Sequence, residues 1–235
     1  MRNAADLTTM SCPAKYREIG DFHKYYSGTR KAPYLTLFIA GNHEASSYLS
    51  ELYYGGWVAP NIYYMGAANV VRFGPLRIAG LSGIWQPGDY HKPRSERLPF
   101  GPKDIKTFYH VRELDVRKLL QIRTQVDIGL SHDWPNGIER HGDYVQLYKN
   151  KPHFKKESER GELGNPAARY VLDRLRPRYW FSAHLHCKFS AIKEHPPPGQ
   201  EDKPQAAPAS AANPDEIDLD MSDSDVPAAA PKQEP

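Results

Sequence analysis

Residues 34–40 read Tyr-Leu-Thr-Leu-Phe-Ile-Ala, seven positions without a charge, and the run stops at Gly41-Asn42-His43-Glu44. A continuous apolar run rich in β-formers predicts a buried central strand. Gly41 predicts a sharp turn as the chain leaves the sheet. Asn42 and His43 then fall in the loop at the strand's carboxyl end, where open α/β sheets place their ligands. An amide oxygen and an imidazole both ligate metals, and an imidazole is also a general acid. The same four residues read equally as a plain turn with one exposed histidine, so the tetrapeptide alone decides nothing.

Two later runs repeat the arrangement. Residues 125–131 predict a second buried strand that delivers His132-Asp133-Trp134-Pro135, and residues 179–183 a third that releases His184-Leu185-His186. Parallel strands put their carboxyl ends on one edge, so Asn42, His43, His132, His184 and His186 can meet there. In an extended segment the i, i+2 spacing places His184 and His186 on one side. That geometry fits two neighbouring metal sites or one site approached twice. Imidazole nitrogens with an amide oxygen favour zinc, iron or manganese over calcium or magnesium. Treating every one of these residues as packing or surface now requires several coincidences.

The rest of the chain supplies strands and helices in alternation, the pattern of an α/β fold. Residues 13–27 predict a short helix, and a second helix starts at Ala45. Strands follow at 61–65, 69–73 and 76–83. Residues 108–123 predict an amphipathic helix with Val111, Leu114, Leu119 and Leu120 inward. Residues 136–163 read as irregular, Asn165-Pro166 as the start of a helix to Arg176, and 187–192 as a further strand. Between Ile84 and Thr107 no periodicity is usable, and a loop of that length inside a domain is functional or disordered. It carries Trp85, Tyr90, Arg94, Arg97 and Lys103. Aromatics interleaved with basic groups suit stacking on bases and pairing with phosphates; an exposed insertion with incidental charge is the plainer alternative.

Charge is unevenly spread. The 235 residues carry a net +3, but residues 196–235 hold nine acidic and two basic residues, which leaves +10 on residues 1–195. A body that basic, in a chain with 15 tyrosines, suits a polyanionic partner. Residues 1–195 are therefore read as one domain and 196–235 as a disordered acidic Pro/Ala-rich tail. Two cysteines, Cys12 and Cys187, make no disulfide framework and favour a reducing compartment. No apolar run approaches a membrane span, and residues 1–6 lack the apolar core of a signal peptide.

Gly41-Asn-His-Glu44, His132 and His184-Leu-His186 stand in the order used by the calcineurin-like metallophosphoesterases, which this chain resembles. Within that superfamily, residues 41–46, 54–64, 131–135 and 180–186 are similar to the lariat-debranching family almost letter for letter. The resemblance runs from about Asn3 to about Ile192. It implies a calcineurin-like metallophosphoesterase sandwich acting on the 2′–5′ linkage of branched intron (lariat) RNA in mRNA processing, with the nucleus as main location and the cytoplasm as a second. By resemblance, Asn42, His132 and His184 hold one divalent transition metal (Fe, Zn or Mn) and His186 belongs to a second site. His43 becomes the general acid that protonates the departing 2′ oxygen, leaving a 5′-phosphate. Glu44 and Asp133 are expected to orient histidines, and residues 84–107 to be a lariat-recognition loop. The family's opening motifs, Cys-x-His and Gly-Asp, have no counterpart here, so about forty residues and two strands are expected to be missing, by analogy with βαβ size. On that expectation the chain as it stands is inactive. The alternatives are another phosphoesterase of the superfamily, or a non-catalytic scaffold on the same fold.

Overall fold

The computed structural model describes residues 1–196. The acidic tail expected beyond them lies outside the described residues. The chain opens with α1 (Ala4–Leu7), a 3-10 turn (Ala14–Tyr16) and α2 (Phe22–Tyr26). Then come β1 (Thr36–Phe38), α3 (Ser46–Glu51), β2 (Gly56–Ala59), β3 (Ile62–Tyr64), β4 (Ala68–Phe73) and β5 (Leu76–Leu81). The second half holds α4 (Pro87–Tyr90), α5 (Pro102–Phe108), α6 (Glu113–Leu120) and β6 (Ile128–Ser131). A 3-10 turn (Ile138–His141), α7 (Tyr144–Asn150), α8 (Pro152–Arg160), α9 (Pro166–Leu175) and β7 (Tyr179–Phe181) complete it.

Among the described residues, seven strands form two sheets. One runs β1-β3-β2, with β1 parallel to β3 and β2 antiparallel to it. The other runs β4-β5-β6-β7, where β5, β6 and β7 are parallel and β4 antiparallel. Among the described residues β1 pairs with β3 alone and so is not central there, and Tyr34 at the start of the predicted run is 81% exposed. Uniform apolarity does not say which strand has neighbours on both sides.

The two sheets are joined where β1 ends. Gly83 N–H donates to the Ala40 carbonyl at 2.8 Å, and Ser82 Oγ accepts from Ala40 N–H at 3.0 Å while donating to the Gly66 carbonyl at 2.7 Å. Gly80 permits this approach, because a Cβ there would stand 2.7 Å from Ile39 Cγ2 and 3.0 Å from the Met65 sulfur. Under the four-stranded sheet, α6 and α9 bury Val116, Leu119, Val171 and Leu175 against Ala79 and Leu81. Asn165 caps α9 as its position predicts, its side chain accepting from the N–H groups of Ala167 (2.8 Å) and Ala168 (3.1 Å). A second cluster packs Tyr48 and Leu49 of α3 against Val58 and Tyr64 of the smaller sheet.

Several local expectations are corrected. Helix α6 begins at Glu113, later than predicted; Leu119 faces inward as expected and Val116 joins it, but Leu114 is 66% exposed. Residues 136–163 are not irregular but carry a 3-10 turn, α7 and α8. Their side chains are too polar for a clear apolar stripe, and the buried Phe154 and Leu147, with Tyr148 packed beside them, anchor the pair to Trp134 and Leu185. Residues 187–192 form no strand, only one bridge between Ala191 and Gly142.

Candidate active site

β6 and β7 end side by side, and β1 is brought to them by the Ala40–Ser82–Gly83 junction. The convergence predicted from three parallel strands is thus achieved across two sheets. Asn42 Oδ1 lies 3.2 Å from His132 Nε2, and the rings of His132 and His184 are 5.0 Å apart. Asn42 is buried and the two imidazoles half-buried. His184 Nε2 is buried without a hydrogen-bond partner.

The electrostatics keep these rings neutral. Burial, then the charges of His184, His43 and His186, lowers the pKa of His132 to about 4. Burial, then His186 and His43, lowers that of His184 to about 4. A neutral imidazole offers a lone pair, which is what a metal requires. The donor set of one amide oxygen and two imidazole nitrogens, one of them orphaned, fits part of the coordination shell of a divalent transition metal. Among the described residues no group of three or more His, Cys, Asp or Glu side chains gathers at a single point. Asn42 is the reason this cluster of two histidines still presents three ligand atoms.

His43 is exposed at the rim, and its Nδ1 lies 2.8 Å from the Ser11 carbonyl. A carbonyl only accepts, so Nδ1 carries the proton and Nε2 faces outward. Ser11 was not singled out from the sequence. Its backbone contributes, and no side-chain signal marks a backbone acceptor. His186 is exposed and close enough for its charge to depress both half-buried histidines.

The backbone between the two histidines differs from expectation. His184 (φ 61°) and His186 (φ 48°) both lie in the left-handed region, and Leu185 N–H donates back to Ala183 O at 2.7 Å. The segment is coiled, so strand alternation does not set the two rings. Non-glycine residues held at positive φ cost about 1–3 kcal/mol each and cluster at functional sites. A Cβ at Gly41 would lie 2.4 Å from His132 Cε1, so the glycine also clears room for the imidazole, where the chain bends through Asn42–Glu44.

Glu44 holds the loop backbone rather than an imidazole: its Oε1 accepts from Gly41 N–H at 2.9 Å. Asp133 accepts from the backbone N–H of Trp134 at 2.9 Å and of Trp85 at 3.2 Å, tying the His132 loop to residues 84–107. That segment is more ordered than predicted, since it contains α4 and most of α5. Trp85 is buried in the main core with Tyr90 packed on it at 4.9 Å. Arg94 donates to the Phe108 carbonyl at 2.6 Å and to the buried Asp115 at 3.0 Å. Of the five residues expected at the nucleic acid, only Arg97 and Lys103 are exposed. Trp85, Tyr90 and Arg94 thus belong to the fold's packing, while His91, Lys92, Arg97 and Lys103 of the same segment are exposed.

Known proteins bear on this geometry. A family profile for calcineurin-like phosphoesterases matches residues 13–188. The chain is 54% identical over 195 residues to the lariat debranching enzyme of Schizosaccharomyces pombe. It is 52% identical over 209 residues to that of Homo sapiens and 52% over 195 residues to that of Arabidopsis thaliana. These alignments cover 83%, 89% and 83% of this chain but 42%, 38% and 47% of the relatives, so the chain spans less than half of their length. No helix among the described residues is long and apolar enough to cross a membrane. With the profile matching three-quarters of its length, and its histidines converging where the strands end, the chain belongs to the calcineurin-like phosphoesterase family.

Proposed function

We propose that this protein hydrolyses the 2′–5′ phosphodiester at the branch of excised lariat intron RNA, as part of mRNA processing in the nucleus. The observation that carries the reading is the meeting of Asn42 Oδ1, His132 and His184 beside an exposed His43, in a chain about half identical to lariat debranching enzymes. Asn42, His132 and His184 hold a divalent metal, zinc, iron or manganese, and His186 serves a neighbouring position. When bound, the metal acts as a Lewis acid toward phosphoryl oxygens and as an activator of water.

The chain's own residues do the rest. The Ser11 carbonyl accepts from His43 Nδ1–H, which leaves Nε2 as the nitrogen that carries the transferable proton when the ring is in its imidazolium form. From there it passes to the departing 2′ oxygen, and the imidazolium is stabilised by the same carbonyl. Glu44 fixes the Gly41–His43 backbone, which sets the distance between the proton donor and Asn42. Arg97 and Lys103, both exposed, supply phosphate contacts along the RNA.

The test is single-turnover cleavage of a synthetic branched RNA by the metal-supplemented protein, alongside a linear RNA of the same sequence. Release of a linear product with a 5′-phosphate from the branched RNA alone is expected. Cleavage of ordinary 3′–5′ links, or of phosphoproteins in preference to RNA, overturns the reading.

A further inference from the structure

The loops that leave the sheet just past His132 and His186 build a second concavity, apart from the imidazole cluster. One wall is residues 135–141, another the end of α8 with Gly161, and α9 with Lys193 closes it. The cleft measures about 350 Å³, within the range of about 300–1,000 Å³ of small-ligand pockets. Its walls are tied together. Asn136 Nδ2 donates to the carbonyls of Gly161 (2.9 Å) and Leu163 (2.8 Å), and Arg140 donates to the Ser158 carbonyl (2.9 Å).

Two chemistries face into this cleft. Arg140, Arg160, Arg169 and Lys193 line it against Glu139 and Glu159, a net positive wall. Among the described residues, the half-exposed Arg160 and Arg169 pair with Glu162 and with Asp173 (3.7 Å), respectively. Such exposed pairs are weak enough for a phosphate to compete. The other chemistry is Glu139, 1% exposed, whose Oε1 accepts from the Ser158 hydroxyl and lies 3.6 Å from Arg140 Nε, while Oε2 is buried without a hydrogen-bond partner among the described residues. A buried carboxylate oxygen with no donor is costly, and such exceptions call for an explanation. A simple anion would satisfy the arginines and leave that oxygen unmatched. A nucleotide satisfies both, with a phosphate for the guanidinium forks and a hydroxyl or amino donor for the carboxylate.

We propose that this cleft binds one nucleotide of the RNA strand beyond the branch, its phosphate on Arg160 and Arg169 and its hydroxyl or amino group on Glu139. The proposal rests on the RNA reading above. Position supports it: Pro135 is three residues from His132, at most about 11 Å of extended chain. The cleft edge at Pro135 is therefore within about one or two nucleotides' reach of a strand engaged at the imidazole cluster.

The test is fluorescence anisotropy with a short linear, unbranched RNA and its DNA counterpart, across a salt series. The Arg160→Ala/Arg169→Ala protein should bind the RNA about tenfold or more weakly, with a salt slope lower by about 0.7 per lost phosphate contact. Glu139→Gln should keep the slope and lose either the preference for RNA over DNA or the preference among bases, according to the donor. On the unmodified protein, a nucleoside monophosphate should compete better than inorganic phosphate. Unchanged affinity in the double variant, or equal competition by the two small molecules, overturns the proposal. Branched-RNA cleavage is followed in parallel. Intact cleavage with unaltered linear-RNA affinity in the double variant removes the cleft alone. Cleft-dependent binding by a protein that leaves the 2′–5′ link uncut removes the functional reading alone.

Discussion

Asn42 and His132 are 90 residues apart in sequence, yet Asn42 Oδ1 and His132 Nε2 approach to 3.2 Å across the junction of two sheets. Neither sheet holds both residues. The contact depends on the Ala40–Gly83 hydrogen bond and on the bare Cα of Gly41, against which the His132 ring rests.

Gly41→Ala should therefore disturb the site more than the fold. The added methyl has nowhere to go but into the imidazole, and overpacking of this kind costs about 1–3 kcal/mol. Zinc or manganese affinity by calorimetry should fall at least about tenfold, the equivalent of 1.4 kcal/mol, together with a lower melting temperature. Unchanged affinity would mean that His132 is not a ligand.

His43→Ala should separate chemistry from metal binding. Turnover of branched RNA is expected to drop by about two orders of magnitude or more, the usual worth of a general acid. Metal affinity should stay as it was, because Asn42, His132 and His184 are untouched. Wild-type turnover in this variant would remove His43 from the mechanism.

Acid should destabilise the metal-free protein through two groups. His132 and His184 titrate near 4 when folded and near 6.5 when unfolded. Their folded pKa values are depressed, so the stability tied to their neutral forms is fully present above pH 6.5. It is lost as pH falls toward 4, by up to about 1.4 kcal/mol per pH unit for each histidine. Urea unfolding midpoints at pH 7.5, 6 and 5 should decline accordingly, and less steeply in His132→Ala. A flat profile over that window would contradict neutral, half-buried imidazoles.

Arg94 and Arg97 should behave differently despite their closeness in sequence. Arg94 neutralises Asp115, which is 1% exposed and also bonded by Tyr53. Arg94→Ala leaves that carboxylate with Lys118 (3.0 Å) as its remaining cation, so the cost should fall well below the roughly 3–5 kcal/mol of breaking a fully buried pair, at about 1–2 kcal/mol. Arg97→Ala and Lys103→Ala should change stability by no more than about 0.5 kcal/mol and weaken RNA binding with a shallower salt dependence. Equal destabilisation by all three would mean that the segment is one structural unit without an RNA-facing side.

The sequence by itself determined the ligand types, the strand ends that carry them and the α/β alternation, because each is a local property. An apolar run, a breaker and a polar side chain are readable wherever the run is going. Asn165-Pro166 opened α9 as its chemistry demands. What neighbours decide was decided only in three dimensions. The edge position of β1, the exposure of Leu114 on α6, and the inward commitment of Trp85 and Arg94 all depend on partners far along the chain. Basic and aromatic residues look alike in sequence whether they face a phosphate or a buried aspartate. The left-handed backbone at His184 and His186 was equally silent, because nothing in a His-Leu-His triplet asks for positive φ. Burial of Leu185 in the cluster around Trp134, with the turn that closes Leu185 N–H onto Ala183, holds the triplet there against its local preference.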